Sequence, residues 1–258
     1  MKISHFQYFL LFTSTLALVG LLTPIMRRIA IKRKIFDAPN SAHKTHKEPV
    51  PYLGGVAIII GVLFISYGTA IYKKFDSHNL SLMTWVLIPA LVLGLIGLWD
   101  DLKNLSPAPR FIVQTIAGVL TAWVLISDNT VGNPTGSRIA DAIITIVWIV
   151  GICNSINFFD NLDGGAAGTV AITSIALFIL AFNGRQYLIS ALAVVTAGAT
   201  LGFLVWNKSP ARIYMGDAGA LFLGILIAAT TIRLNPHADS KAMSLATPVL
   251  LLAVPILD

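Results

Sequence analysis

The stretch NSINFFDNLDGGAAG, residues 154–168, places two carboxylates and three carboxamides within ten positions. It lies between two of the most apolar parts of the sequence, IADAIITIVWIVGIC at 139–153 and TVAITSIALFILAF at 169–182. Apolar runs of this kind predict membrane-spanning helices, and polar residues at their ends are costly unless they are used. The stretch therefore predicts an all-α polytopic membrane helix bundle with a functional site at one end.

The composition supports membrane insertion along the whole chain. Of the 258 residues, 56% are hydrophobic and only 12% are charged, and the mean hydropathy is +0.79. Soluble domains are about a quarter charged. We attribute the net charge of +6 to membrane topology and expect no nucleic-acid partner, since Lys and Arg collect in cytoplasmic loops. The single Cys153 excludes an internal disulfide and a CxxC metal site.

Nine apolar segments, each near the roughly 20 residues that cross a bilayer, follow one another with no soluble domain between them. They are about 5–26, 53–72, 82–99, 110–127, 139–153, 165–183, 186–206, 218–234 and 243–258. We predict a single integral-membrane domain over 1–258, without a cleaved signal peptide.

Four loops of this topology share one face of the membrane, at about 27–52, 100–109, 154–164 and 207–217. These loops and their edges hold eleven of the eighteen Lys and Arg residues, which predicts a cytoplasmic face and an N-terminus outside. The same face holds seven of the twelve acidic residues, which topology does not require: Asp37, Glu48, Asp100, Asp101, Asp160, Asp163 and Asp217. We therefore predict a polar site on the cytoplasmic face.

The first two loops each contain a candidate segment. KTHKEPVPYLGG, residues 44–55, combines His46 and Lys47 for anion contact with prolines that force an extended chain and glycines that permit close backbone approach. On this segment alone, a basic stretch that contacts lipid head groups is the favoured alternative. GLWDDLKNLSPAPR, residues 97–110, contains adjacent carboxylates that repel unless a cation is near, with Lys103 close by; a solvated helix end is an equal alternative.

The other two loops carry the remaining candidates. If residues 154–163 are helical, Asn154, Asn157 and Asp160 follow one face at a spacing of three, whereas a helix cap needs only one such residue. NKSPARIYMGDAGALFLG, residues 207–224, surrounds Asp217 with small residues that let a ligand approach, although Asp217 could also be a simple helix cap. Carboxylates without a Cys or His cluster predict Mg²⁺, with Mn²⁺ as the alternative, and nearby cations predict a phosphate-bearing substrate. A site at the membrane surface implies that a second substrate is a lipid.

In this order, the motifs KxHxxPxPxxGG, Asp-Asp at the end of the third span, NxxNxxDxxDG and MGDAG resemble the polyprenyl-phosphate N-acetylhexosamine-1-phosphate transferases. The resemblance runs from about residue 44 to residue 223. It implies a bacterial inner-membrane enzyme in which a UDP-N-acetylhexosamine gives its sugar-1-phosphate to undecaprenyl phosphate and releases UMP. Such products start peptidoglycan, O-antigen, enterobacterial common antigen or teichoic acid.

The resemblance also assigns a branch and residue roles. Pro-Val-Pro-Tyr-Leu-Gly-Gly at 49–55 is similar to the branch that transfers GlcNAc-1-phosphate, with the phospho-MurNAc-pentapeptide transferases of peptidoglycan synthesis as the alternative. Asp100 and Asp101 are expected to be catalytic, and Asp217 and Asp163 to bind the metal. The expected substrate-binding residues are His46, Lys47, Lys103, Asn154, Asn157, Asp160 and Gly216.

Two departures from the family pattern are visible. Asn161 stands where the family has Gly; Asn is the non-Gly residue best able to adopt positive φ, so the turn can survive, with a sugar or nucleotide preference that could differ. The 258 residues also stop before the histidine-rich loop that follows the ninth span in the family, so a tenth or eleventh span is expected beyond them, and activity of these residues alone is in question.

Three rival interpretations fit less well. An ion-coupled transporter would place its acidic residues near the membrane midplane, whereas these lie at helix ends on one side. A CDP-alcohol phosphotransferase would need an arginine and further spaced acids that DGGAAGTVAITS, residues 163–174, lacks. A structural scaffold leaves the one-sided acidic clusters unexplained. A homodimer is left open as the oligomeric state.

Overall fold

The computed structural model of the chain describes residues 3–37, 49–103, 105–127, 135, 137–235 and 241–257. Within these ranges the fold is a helical bundle, as predicted. It also contains one short two-stranded ribbon, which was not predicted. The helices are α1 (His5–Arg33), α2 (Gly54–Tyr72), α3 (Ser77–Lys103), α4 (Pro107–Ser127), α5 (Arg138–Phe159), α6 (Gly165–Asn183), α7 (Tyr187–Asn207), α8 (Gly216–Ile232), α9 (Lys241–Leu251) and α10 (Ala253–Leu257). The strands are β1 (Phe36–Asp37) and β2 (Val50–Pro51).

Helices α1 to α7 are each long and apolar enough to cross a membrane, which confirms a multi-pass membrane protein. Helix α8 is apolar but has only 17 residues. It is surrounded by protein, since every residue from Ala218 to Thr231 is buried, and its main neighbours are α3 and α5. A helix that faces other helices along its whole length does not have to match the thickness of the lipid by itself.

The ninth predicted span, 243–258, differs from the expectation of one continuous helix. It divides into α9 and α10 at Leu252. The break follows from Pro255, which has no N–H to donate to the carbonyl of Leu251 four residues earlier. The Thr173 hydroxyl of α6 donates to that carbonyl instead, at 3.1 Å, so the backbone group stays satisfied inside the bundle.

Three helices extend beyond their predicted spans into the predicted loops. Helix α1 continues to Arg33, α3 to Lys103 and α5 to Phe159, whereas the apolar runs end near residues 26, 99 and 153. The extra turns are polar, and in α3 and α5 their side chains hydrogen-bond across the bundle. Asp100, Asp101, Asn154 and Asn157 are therefore helical residues rather than loop residues.

Residues 49–53, just before α2, are extended as the prolines at 49 and 51 predict, and they run beside the loop before α8. In the ribbon, Phe36 pairs with Pro51 and Asp37 with Val50. The first residue of α2 is hydrogen-bonded to the loop before α8, with the Gly54 N–H donating to the Tyr214 carbonyl at 3.0 Å. An added Cβ at Gly55 would lie only 2.2 Å from the backbone nitrogen of Gly219, so glycine is required where α2 meets α8.

Candidate active site

The centre of the candidate site is an ion-pair bridge between α3, α4 and α8. One guanidinium nitrogen of Arg110, Nη1, lies 2.8 Å from Asp100 Oδ2. The same nitrogen also donates to Asp217 Oδ2. Two carboxylates from different helices therefore lie within hydrogen-bonding distance of a single atom, although Asp100 and Asp217 are 117 positions apart in the sequence.

The second oxygen of each carboxylate is held by another donor. The amide Nδ2 of Asn157, near the end of α5, donates to Asp217 Oδ1 at 2.7 Å. The backbone N–H of Leu105, in the turn after α3, donates to Asp100 Oδ1 at 2.5 Å. The two carboxylates differ in exposure, since the Asp217 side chain is 25% exposed and the Asp100 side chain only 8%. Asp217 is thus the more accessible of the two to a ligand.

Asp101 faces a different partner from its neighbour Asp100. Its Oδ1 accepts a hydrogen bond from the backbone N–H of Asp217 at 2.9 Å, and its Oδ2 accepts one from that of Ala218 at 3.1 Å. These N–H groups belong to the first turn of α8, whose own N-cap residue, Met215, makes no side-chain cap bond. Asp101 therefore caps α8 from another helix, where a carboxylate is favoured by the helix dipole. The Tyr52 hydroxyl donates to the Asp101 carbonyl and so connects the residue after β2 to the last turn of α3.

Gly216 makes this cap possible. It has φ of 70°, a left-handed conformation that favours glycine, and an added Cβ would lie 2.6 Å from Asp101 Oδ2. Its N–H donates to Asp160 Oδ2 at 3.1 Å. The predicted site residues Asp101, Asp160, Gly216 and Asp217 are thus brought together around the start of α8.

Asp163, predicted as a metal ligand, contacts the loop before α8 rather than its first turn. Its Oδ2 accepts the Ala211 N–H at 3.0 Å, and its Oδ1 accepts the Tyr214 hydroxyl at 3.1 Å. Asn207 fastens the same region, since its Oδ1 accepts the Gly164 N–H at 3.1 Å and its Nδ2 donates to the Ile213 carbonyl at 3.0 Å. The contacts favour a loop-fastening role for Asp163, and its metal role stays a prediction.

The turn that contains Asn161 is built differently from the expectation. Among the described residues, positive φ in this stretch falls on Gly164, at 73°, and not on Asn161. The Asn161 side-chain amide instead donates to the Phe158 carbonyl at 2.9 Å and closes the end of α5. The turn therefore does not use the capacity of Asn161 for positive φ, because the glycine three residues later supplies it.

The remaining predicted residues lie outside the bridge. Asn154 donates to Gln114 Oε1 of α4 at 2.9 Å, one turn before Asn157. Lys103 is exposed in the last turn of α3. His46 and Lys47 fall outside the described residues. Substrate contact by these four residues stays a prediction.

Sequence reasoning missed Arg110 as a site residue. It predicted that the Asp100–Asp101 pair needs a nearby cation and named Lys103, but the described ion pairs connect Asp100 to Arg110. A signal was present, because Pro107 and Pro109 mark a new helix whose first turn places Arg110 next to the end of α3. Tyr52 and Gln114 were also missed, and their sequence context carries no comparable signal.

The donor set fits a divalent cation of the Mg²⁺ type. No group of three or more His, Cys, Asp and Glu side chains is arranged as a metal site in the described part of the chain. However, Asp100 and Asp217 already share one cationic nitrogen, and Mg²⁺ is commonly held by one or two carboxylates together with water and substrate phosphates. Two carboxylates, of which Asp217 is partly exposed, therefore match the protein contribution that such a cation needs.

The fold and this site define the class of the protein, a polytopic membrane protein of a glycosyl transferase type. Residues 82–235 match the family described as "Glycosyl transferase family 4", and the chain belongs to this family. The match covers α3 to α8 and so contains the whole bridge.

Three curated relatives show the particular proteins that the chain resembles. It is 34% identical over 252 residues to the "Probable undecaprenyl-phosphate N-acetylglucosaminyl 1-phosphate transferase" of Bacillus subtilis, covering 96% of this chain and 68% of that protein. It is 34% identical to the "Phospho-N-acetylmuramoyl-pentapeptide-transferase" of Streptococcus agalactiae, covering 73% and 61%, and 32% identical to that of Geobacillus thermodenitrificans, covering 86% and 72%. The chain thus spans about two thirds of the length of these relatives.

Proposed function

We propose that the protein transfers GlcNAc-1-phosphate from UDP-GlcNAc to undecaprenyl phosphate and releases UMP, as the first step of a bacterial cell-envelope polysaccharide. The observation that carries the proposal is the bridge of Asp100, Arg110 and Asp217 at one end of a membrane bundle. The names of the relatives support undecaprenyl phosphate as the acceptor and a phosphorylated amino sugar as the transferred group.

The reaction requires two anionic reactants to approach each other. An oxygen of the lipid phosphate forms a bond to the phosphorus attached to the sugar, and the bond from that phosphorus to the UMP oxygen breaks, so that UMP leaves with the electron pair. The lipid phosphate is mostly dianionic at pH 7, because its second pKa is about 6. We therefore assign Asp100 to positioning the lipid phosphate rather than to strong base catalysis.

A divalent cation held by Asp217, with Asp100 beside it, would supply charge neutralisation for the diphosphate. Transferases of this family type depend on a divalent metal, and Mg²⁺ is our proposal for its identity. Asn157 orients Asp217, and Asp101 fixes the turn that carries it. A covalent route through an Asp nucleophile remains an alternative that kinetics can test.

We propose that the site faces the cytoplasm of the bacterial inner membrane. The bridge lies where α3 and α5 end and α8 begins, which is also the end of α1 that carries Arg27, Arg28, Lys32 and Arg33. Basic residues favour the cytoplasmic side, where UDP-sugars are present. Ser4, the N-cap residue at the opposite end of α1, would then lie outside.

The donor sugar separates two branches of the family. The Bacillus relative named as a GlcNAc-1-phosphate transferase matches 96% of this chain, whereas the Streptococcus and Geobacillus pentapeptide transferases match 73% and 86%. UDP-GlcNAc is therefore our first choice, and UDP-MurNAc-pentapeptide is the second. Comparing UMP release from the two donors with the same lipid acceptor decides between them.

The deciding experiment measures UMP release by the purified native full-length protein in lipid nanodiscs. We expect release only when UDP-GlcNAc, undecaprenyl phosphate and Mg²⁺ are all present, and expect its loss in Asp217→Asn. Asp76→Asn is the matched control, because Asp76 caps α3 at its other end. Donor-independent transport of an ion or solute without UMP release would instead support the transporter interpretation.

A further inference from the structure

Arg110 occupies the position between Asp100 and Asp217 at which a metal would have to bind both. A single nitrogen, Nη1, serves both carboxylates. Without a cation between them, two carboxylates this close repel, and the charged state of one of them becomes unfavourable. The guanidinium therefore stabilises the paired arrangement before any metal arrives.

Each carboxylate would keep its orientation if the guanidinium left. Asn157 Nδ2 holds Oδ1 of Asp217 at 2.7 Å, and the Leu105 N–H holds Oδ1 of Asp100 at 2.5 Å. The Oδ2 atoms, which Arg110 contacts, are the ones that point toward each other across the bridge. A cation that replaced Nη1 would find both Oδ2 atoms already aimed at it.

Arg110 itself is placed to move. It lies in the first turn of α4, its side chain is 24% exposed, and an arginine side chain has several rotatable bonds. Because the side chain is partly exposed, the guanidinium can leave Asp217 without entering a fully buried position. By contrast, the Asp100 side chain is only 8% exposed, and the N–H of Leu105 in the turn after α3 holds it in place.

We propose that Arg110 is a placeholder cation: it holds Asp100 and Asp217 together in the metal-free protein and gives up Asp217 when a divalent cation binds. This inference depends on the proposed function only in assuming that the cation binds at Asp217. Arg110 is a positioning residue in this role, and it competes with the metal that it prepares the site to receive.

Mn²⁺ binding, measured by electron paramagnetic resonance of the purified native full-length protein, tests the competition without any catalytic readout. We expect Arg110→Gln to bind Mn²⁺ about tenfold more tightly than wild type, because a competing unit charge within hydrogen-bonding distance is removed. Arg110→Lys keeps a unit positive charge on a side chain one atom shorter, so its Mn²⁺ affinity should lie between those of wild type and Arg110→Gln. Lys208→Gln is the control for net charge, because Lys208 is exposed on the same face.

Thermal unfolding provides the second measurement. Metal-free Arg110→Gln should unfold at a lower temperature than metal-free wild type, and saturating Mn²⁺ should narrow that difference. If the metal-free variant does not stay folded, its affinity can still be measured by competition starting from the Mn²⁺-loaded protein.

The outcomes separate this inference from the proposed function. Equal or weaker Mn²⁺ binding by Arg110→Gln, with Asp217→Asn defective, overturns the placeholder role and leaves the proposed metal site intact. Equal Mn²⁺ binding by Asp217→Asn and wild type would show that Asp217 does not hold the metal. That result overturns both the placeholder role and the proposed metal site.

Discussion

Replacing Gly216 by alanine tests whether the cap on α8 positions Asp217. The new Cβ would lie 2.6 Å from Asp101 Oδ2 and 3.0 Å from Oδ1. The Asp101 carboxylate must retreat by about 0.8 Å to reach ordinary contact at 3.4 Å. Its cap bonds of 2.9 and 3.1 Å would then lengthen to about 3.7 Å or more, beyond hydrogen-bonding distance.

The expected magnitudes follow from these two effects. A left-handed conformation at a residue with a Cβ costs about 1 kcal/mol, and loss of an N-cap costs about 1 kcal/mol more. We expect the free energy of unfolding to fall by about 2 kcal/mol. Because the released turn carries Asp217, and a misplacement of about 1 Å can lower turnover by about 10²-fold, we expect a loss of that order in UMP release.

The assay is Mg²⁺-dependent UMP release by the native full-length protein, with thermal unfolding measured in parallel. Gly151→Ala is the matched control, because an added Cβ on this α5 glycine meets no atom within 4 Å. It should leave turnover unchanged. If Gly216→Ala works as well as Gly151→Ala, the cap does not position Asp217 and the reasoning is wrong.

Three further changes test neighbouring contacts. Asp101→Asn should keep more activity than Asp101→Leu, because its one amide oxygen still accepts one of the two cap bonds, whereas Leu accepts neither; equal loss in two folded variants would favour a direct catalytic role for the charge. Asn157→Leu removes the donor to Asp217 Oδ1 and should weaken Mn²⁺ binding several-fold (about 1 kcal/mol), whereas unchanged affinity in a direct titration would contradict an orienting role. Asp163→Asn should mainly lower the thermal unfolding temperature, because its contacts fasten the loop before α8; a loss of Mn²⁺ affinity without destabilisation would instead support its predicted role as a metal ligand.

The apolar runs predicted the helical bundle well, but they placed helix ends too early. In α3 and α5 the helix continues through polar residues whose side chains find partners on other helices. Hydropathy detects where the lipid-compatible part of a helix stops, whereas the hydrogen-bonded backbone continues as long as its polar side chains are satisfied. The break at Leu252 had a visible signal in Pro255, but the hydroxyl of Thr173 that satisfies the freed Leu251 carbonyl comes from another helix and could not be predicted.

Most residues of the candidate site could be predicted from the sequence, but the partner that each side chain contacts could not. Asp100 and Asp101 are adjacent, so they point about 100° apart around α3, one toward Arg110 and the other toward α8. Sequence treats such a pair as one motif, since nothing in it shows which neighbour each side chain meets. For the same reason, Arg110 was only one of the eleven basic residues that indicated the cytoplasmic face, and its contact with Asp100 was not predicted.

The burial of α8 has a consequence for how the protein responds to its membrane. Its residues from Ala218 to Thr231 contact protein on every side, so the depth of Asp217 is set by α2, α3 and α5 and not by the surrounding acyl chains. Hydrophobic mismatch in a thinner or thicker bilayer would therefore act on outward-facing helices such as α1, where Leu21 is 70% exposed, by changing their tilt. The depth of Asp217 would stay tied to its neighbouring helices while α1 adjusts to the lipid.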